Sequence, residues 1–141
     1  MPPKKSRAAG RHLAVDTIGL PITIQITSAD VQDRDALAAL LKDVRAKSPY
    51  VTAAFVDGGY QGDEAQRAAF EASRIACTVI KRADSQIKGF VVLPRRWVVE
   101  RTFGWINRSR RLAKDFEASI ASAIAWFQIA CAFLIMRRLA R

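Results

Sequence analysis

The chain is predicted to fold as an α/β layered domain around a mixed sheet. Short apolar runs alternate with segments of helical period, the first two runs are joined by a Gly-Leu-Pro turn, and half of the 141 residues are apolar. Alternation of strands and helices argues for layers of helix against sheet. The opening hairpin argues for a mixed sheet over a parallel one. The length fits one domain with a real core.

Residues 12–18 and 22–28 read as two antiparallel strands, with Gly19, Leu20 and Pro21 as the turn between them. Asp30 to Asp33 offers caps for a helix over 34–47, where Leu37, Leu40, Leu41 and Val44 share one face. Pro49 closes that helix. Residues 51–56 form an apolar run expected to be a strand buried on both faces, ended by Asp57, Gly58 and Gly59. A helix over 62–73 carries Asp63 and Glu64 in its first turn, where the helix dipole favours acids. Residues 75–80 give a fourth strand and 83–93 a loop. Pro94 suits the start of a long helix over about 95–113, and a second long helix runs over about 118–138. The predicted order is β-β-α-β-α-β-α-α, with 1–11 as a basic, flexible lead-in and 12–141 as the domain.

Charge is distributed unevenly. The net charge is +10, yet residues 16–94 hold nine bases and ten acids, while 95–141 hold ten bases and three acids. Residues 1–15 add Lys4, Lys5, Arg7 and Arg11 without an acid. Basic ends on a near-neutral middle point to a polyanionic partner, since Lys and Arg supply most non-specific nucleic-acid affinity. A basic surface that only aids solubility is the alternative. The two cysteines, Cys77 and Cys131, lack metal-ligand spacing to the only histidine, His12, and read as core thiols of a reduced, cytoplasmic protein. His12 receives no role. Residues 118–136 carry no charge and are followed by Arg137, Arg138 and Arg141. The run just reaches spanning length. Its Ala and Ser content and Gln128 favour a buried core helix over a membrane anchor, and no membrane partner is expected.

Two acids are candidates for chemistry. Asp57 stands at the end of a strand before two glycines, where α/β sheets place their sites, although Asp-Gly is also a common turn dipeptide. Glu100 lies on the basic helix, on one stripe with Arg96, Gly104, Asn107, Arg108 and Arg111, with Val98, Trp105 and Leu112 opposite. A mid-helix glycine costs about 1 kcal/mol relative to alanine, so Gly104 is a place where something bulky comes close. A solvent-exposed pair of Glu100 with Arg96 is the alternative. Carboxylates that hold divalent ions beside phosphate-binding arginines are what phosphoryl transfer on DNA requires.

The string LPRRWVVERTFGWINRSRRLAKDFE, residues 93–117, closely resembles the C-terminal block of bacterial insertion-sequence transposases of the DDE class, nearest the group named for insertion sequence 5. RHLAVDTIGL (11–20), SADVQDRD (28–35) and FVDGGYQG (55–62) fit the same group, so the resemblance runs from about residue 11 to the end. It implies a ribonuclease H-like fold and an Asp-Asp-Glu triad that binds Mg²⁺ (or Mn²⁺), with cleavage at transposon ends and joining to a target. Asp57 then matches the second acid and Glu100 the glutamate, both as catalytic residues and as metal ligands. Arg96, Arg101, Arg108, Arg110 and Arg111 become the DNA-binding surface. The wider Tyr-x2-Arg-x3-Glu-x6-Lys signature is met at Arg96 and Glu100, while Leu93 stands at the Tyr place and Asn107 at the Lys place, beside Arg108.

The family's first acid lies on a strand upstream of the stretch matching KKSRAAGRHLAVD, so the domain is expected to lack its first strand and that acid. Asp16 falls on the next strand and is not its replacement. The resemblance therefore implies a transposase polypeptide inactive or very weak alone, a remnant or half of a split gene, partnered by DNA, by an upstream-encoded transposase fragment and by further copies of itself. A non-catalytic DNA-binding or interfering protein is the second reading, and a membrane-anchored protein the third.

Overall fold

The computed structural model describes residues 10–80, 96–108 and 119–141. Of the lead-in expected over 1–11, Gly10 and Arg11 belong to the first strand instead. Residues 1–9, the 83–93 loop, Pro94, Arg110, Arg111 and Leu112 lie outside the described residues. Within them the predicted element order holds. Strands β1 (Gly10–Val15) and β2 (Pro21–Thr27) pair antiparallel, from Gly10 opposite Thr27 to Ala14 opposite Thr23, and the register slips between Ala14 and Val15. Pro21, which has no N–H to give, sits at the first residue of its strand, as sheet geometry requires.

Asp16 closes the hairpin. Its Oδ1 accepts the backbone N–H of Ile18 at 3.0 Å and of Leu20 at 2.9 Å, which accounts for this acid as a turn residue. Gly19 has a φ of +89° and is buried beneath the helix α3 (Arg96–Ile106). A Cβ there would meet the Thr102 hydroxyl at 3.0 Å and the Arg101 guanidinium at 3.1 Å. Gly19→Ala is expected to lower stability by about 2 kcal/mol through backbone strain and crowding, read as a fall in the urea midpoint at constant slope.

Helix α1 (Asp33–Lys47) buries Ala36, Leu37, Leu40, Leu41 and Val44 along one stripe. The expected cap differs: Gln32 is the N-cap residue and makes no side-chain cap bond. Asp33 and Asp35 lie in the first turn and Arg45 and Lys47 in the last, as the helix dipole favours. Arg45 ties α1 to helix α2 (Asp63–Ser73), donating from Nε to the Ser73 carbonyl at 2.7 Å and from Nη2 to the Arg74 carbonyl at 3.2 Å. Strands β3 (Ala53–Asp57) and β4 (Ala76–Ile80) pair parallel, Asp57 opposite Ile80, with α2 as their crossover.

Two features differ from the sequence reading. β3 is not buried on both faces: Ala54 and Val56 pack on the α1–α2 core, while Ala53, Phe55 and Asp57 are exposed, because helices cover only one side. The strands also form two two-stranded sheets, β1-β2 and β3-β4, not joined into one among the described residues. They share a core nonetheless, since Ala14 of β1 packs against the same cluster as Ala54 and Val56.

The hairpin divides the molecule into layers because successive side chains alternate sides. Leu13 and Ile24, opposite each other, face a core made by Ile106 of α3 with Phe127, Ala130 and Cys131 of helix α4 (Ile120–Leu139). Thr23 and Gln25 face α1 instead, accepting from Lys47 Nζ at 2.7 Å and donating to Asp43 at 2.9 Å. Burial lifts the Cys131 thiol to about 11, which keeps it protonated and inert. The expectation that α4 is a buried core helix holds for one stripe only. Ile129, Phe133, Met136 and Leu139 are exposed, and α4 is the one helix among the described residues long and apolar enough to cross a membrane by length and composition.

Candidate functional site

Asp57 ends β3 at an exposed position, and its Oδ1 accepts the Gly58 N–H at 2.7 Å. This bond opens a single 3-10 turn, Gly58–Tyr60, as the turn reading of the Asp-Gly dipeptide expects, and the acid stands at the end of β3. The turn carries Tyr60 back toward the hairpin. There its hydroxyl meets His12 Nδ1 at 2.9 Å, while His12 Nε2 meets the Thr27 hydroxyl at 2.9 Å. His12 is 1% exposed, and its Nδ1 lies 3.8 Å from Asp33 Oδ1. Gly59 makes room for that acid, because a Cβ on residue 59 would come within 2.7 Å of Asp33 Oδ2.

The electrostatics of this cluster follow from burial and the two acids. Burial first, then the carboxylates of Asp33 and Asp57, pushes the Tyr60 phenol up to about 12, so it stays protonated at any working pH. Burial lowers the His12 value below the ordinary imidazole 6.5, and the Asp33 charge pulls the other way. The ring is therefore neutral near pH 7. The nearby Asp33 carboxylate favours the proton on Nδ1, with Tyr60 Oη accepting it and the Thr27 hydroxyl donating to Nε2. The sequence reading gave His12 no partner and treated Asp33 as a helix cap; their partners lie 48 residues away or on another element. The available signal was period-two alternation, which puts His12 on the same strand face as Ala14, toward α1.

The other candidate acid stands on α3. Val98, Thr102 and Ile106 are buried at four-residue spacing, whereas Glu100 and Gly104 are exposed, as the stripe expected from the sequence requires. The helix ends at Ile106, not near 113, and Asn107 and Arg108 stand exposed in the turn that follows. Two bonds to the hairpin turn fix the helix. Thr102 Oγ1 donates to the Gly19 carbonyl at 2.8 Å, and Arg101 Nη2 donates to the Ile18 carbonyl at 2.9 Å. Arg101 also lies 4.6 Å from the Trp105 ring centroid. Arg101, expected on the DNA-binding surface, thus helps to dock α3. Arg96 opens the helix. No neighbour lies within 4 Å of a Cβ built on Gly104, so nothing within the described fold demands glycine there.

Hard-oxygen ligands suit a divalent ion, and both candidate acids supply them at exposed positions. Among the described residues, however, no three His, Cys, Asp or Glu side chains gather in a way that could hold a metal ion. Asp57 and Glu100 stand on separate elements, the end of β3 and the open face of α3, and the Asp57 charge is felt by Tyr60 together with that of Asp33.

A family profile described as a transposase DDE domain matches residues 2–135. The chain is also 27% identical, over 150 aligned positions, to a putative transposase for insertion sequence element IS402 of Burkholderia cepacia, an alignment that covers 99% of this chain and 69% of that protein. No solved structure matches.

Proposed function

The chain belongs to the transposase DDE-domain family, and we propose that it acts on DNA at insertion-sequence ends, by metal-dependent strand cleavage and strand transfer, with Asp57 and Glu100 as its acidic pair. The observation that carries this reading is the open stripe of α3, where Glu100 shares a solvent face with Gly104 and Arg108 is exposed just past the helix end. When bound, divalent ions activate the attacking oxygen and stabilise the leaving one. The protein's own part is to present two carboxylates for the ions and guanidinium groups for the phosphates. Asp57 and Glu100 converge on a shared site when DNA lies along α3, with Arg96, Arg108, Arg110 and Arg111 on its phosphates.

The two unjoined strand pairs support a ribonuclease H-like sheet in which a further strand, bearing a third acid, belongs between β1 and β3. An upstream-encoded fragment would supply it. The alternative, a DNA-binding or interfering protein that does not cut, is favoured by the lack of a three-ligand group among the described residues. Nicking of duplex DNA bearing the element's ends, with the upstream-encoded fragment present, separates the two. Cleavage that requires Mg²⁺ or Mn²⁺ supports the first, and metal-independent binding without cleavage, weakening steeply with salt, supports the second.

Gly104 offers a sharper check. Gly104→Ala relieves the mid-helix glycine and is expected to raise stability by up to about 1 kcal/mol. If the DNA backbone must approach α3 there, the same change weakens DNA binding several-fold. A variant that is more stable and binds equally well would remove the argument that DNA lies on this face.

A further inference from the structure

No acid follows residue 117, while Arg137, Arg138 and Arg141 crowd the end of the chain. The fold brings them to Trp105 of α3 and Arg108 of the turn that follows it, around a cleft of about 560 Å³. Phe133 and Leu134 form its apolar wall. The guanidinium carbon of Arg138 lies 4.2 Å from the centroid of the Trp105 ring, and that of Arg101 4.6 Å.

Arg137 and Arg138 occupy the last turn of α4, where the helix dipole favours cations. That accounts for their place in the sequence. It does not account for their meeting Arg108, just past the end of α3, in a concave site with no acid among the described residues of its lining. Four guanidinium groups around one cleft repel one another, and an anion is the ligand that relieves the repulsion. Stacking on an aromatic face holds a guanidinium in one plane and keeps its N–H edge turned outward, the arrangement that suits two-point bonding to a phosphate. The apolar wall lowers the local dielectric and strengthens each such bond.

We propose that this cleft is a phosphodiester clamp, taking backbone phosphates of DNA away from the acid-bearing face. Trp105 is five residues beyond Glu100, which turns it roughly 140° around the helix axis. The clamp therefore engages a second stretch of DNA from the one beside Glu100. The inference rests on the DNA reading above and adds a second contact to it. A lipid headgroup shares the phosphate chemistry, but a cleft between two helices suits a strand of phosphates better than a planar membrane does.

The test is equilibrium binding of the full chain to a duplex of about 30 base pairs, from about 50 to about 200 mM salt. The variants are Arg137→Gln/Arg138→Gln/Arg141→Gln and the milder Arg137→Gln/Arg141→Gln, which leaves the Trp105 stack intact and serves if the triple variant loses its fold. Each lost phosphate contact lowers the slope of log affinity against log salt by about 0.9, so the triple variant is expected to lose between about 2 and about 3 from that slope. The double variant is expected to lose just under about 2, with affinity down at least about tenfold at the higher salt. A slope and affinity equal to the parent's would overturn the clamp while leaving the DNA reading intact. A parent chain that binds no duplex even at low salt would overturn both. Arginine-dependent binding to phosphatidylserine vesicles, with duplex binding unchanged in the variants, would also overturn the clamp and assign the cleft to lipid.

Discussion

Asp57→Asn and Glu100→Gln are each expected to lower metal-dependent strand cleavage by about three orders of magnitude, while DNA affinity stays within a few-fold of the parent. Charge stabilisation by a bound ion is worth several kcal/mol, and each 1.36 kcal/mol is about a factor of ten. The amides suit this test. Asp57→Asn keeps a side-chain carbonyl oxygen to accept the Gly58 N–H, so the turn at the end of β3 persists while the negative charge is lost. Glu100→Gln keeps the volume of an exposed side chain on α3 and leaves in place the Thr102 and Arg101 bonds that dock the helix to the hairpin turn. The assay includes the proposed upstream-encoded fragment, since the proposed site calls for a third acid. Cleavage within threefold of the parent in both variants would remove these residues from the chemistry. Loss of cleavage together with loss of binding would instead mean that the changes disturb the fold.

What could be read from the sequence was local. Leu37, Leu40, Leu41 and Val44 have a period that only a helix satisfies, and the structure buries all four. The stripe through Glu100 and Gly104 follows from the same period and is exposed as expected. The family resemblance at 93–117 rests on a run of residue identities and needs no tertiary information. The failures were questions of what covers what. An apolar run such as 51–56 has the same composition whether one face or two are covered, and here α1 and α2 cover one. The uncharged run of α4 read as core, yet only Phe127, Ala130 and Cys131 are buried against the hairpin and α3. His12 was unreadable for a related reason. A lone histidine in a strand gives no sign of whether it meets solvent or, as here, a tyrosine from a turn 48 residues later.

That histidine makes the stability of the acid-bearing turn sensitive to pH. Burial holds the folded-state value of His12 below 6.5. The unfolded chain therefore binds more protons than the folded one once the pH falls below about 6.5, and stability falls with further acidification. The contribution is fully present above the unfolded value and is lost as the pH drops toward the folded one. Asp33 opposes the burial effect by favouring the charged ring. Asp33→Asn should thus depress the folded value further and deepen the loss in acid. His12→Gln should abolish this part of the pH dependence. It should also cost between about 2 and about 4 kcal/mol at neutral pH, because a glutamine side chain cannot reach both the Tyr60 and Thr27 hydroxyls and leaves buried groups unpaired. Urea midpoints at pH 5 and pH 7.5 for the parent and the two variants measure all three effects, and the difference between parent and His12→Gln cancels the carboxylates that titrate in the same range. An acid-induced loss identical in the parent and His12→Gln would show that protonation elsewhere governs it. A larger loss in Asp33→Asn would tie it to the His12–Tyr60 contact, and through Tyr60 to the turn that aims Asp57.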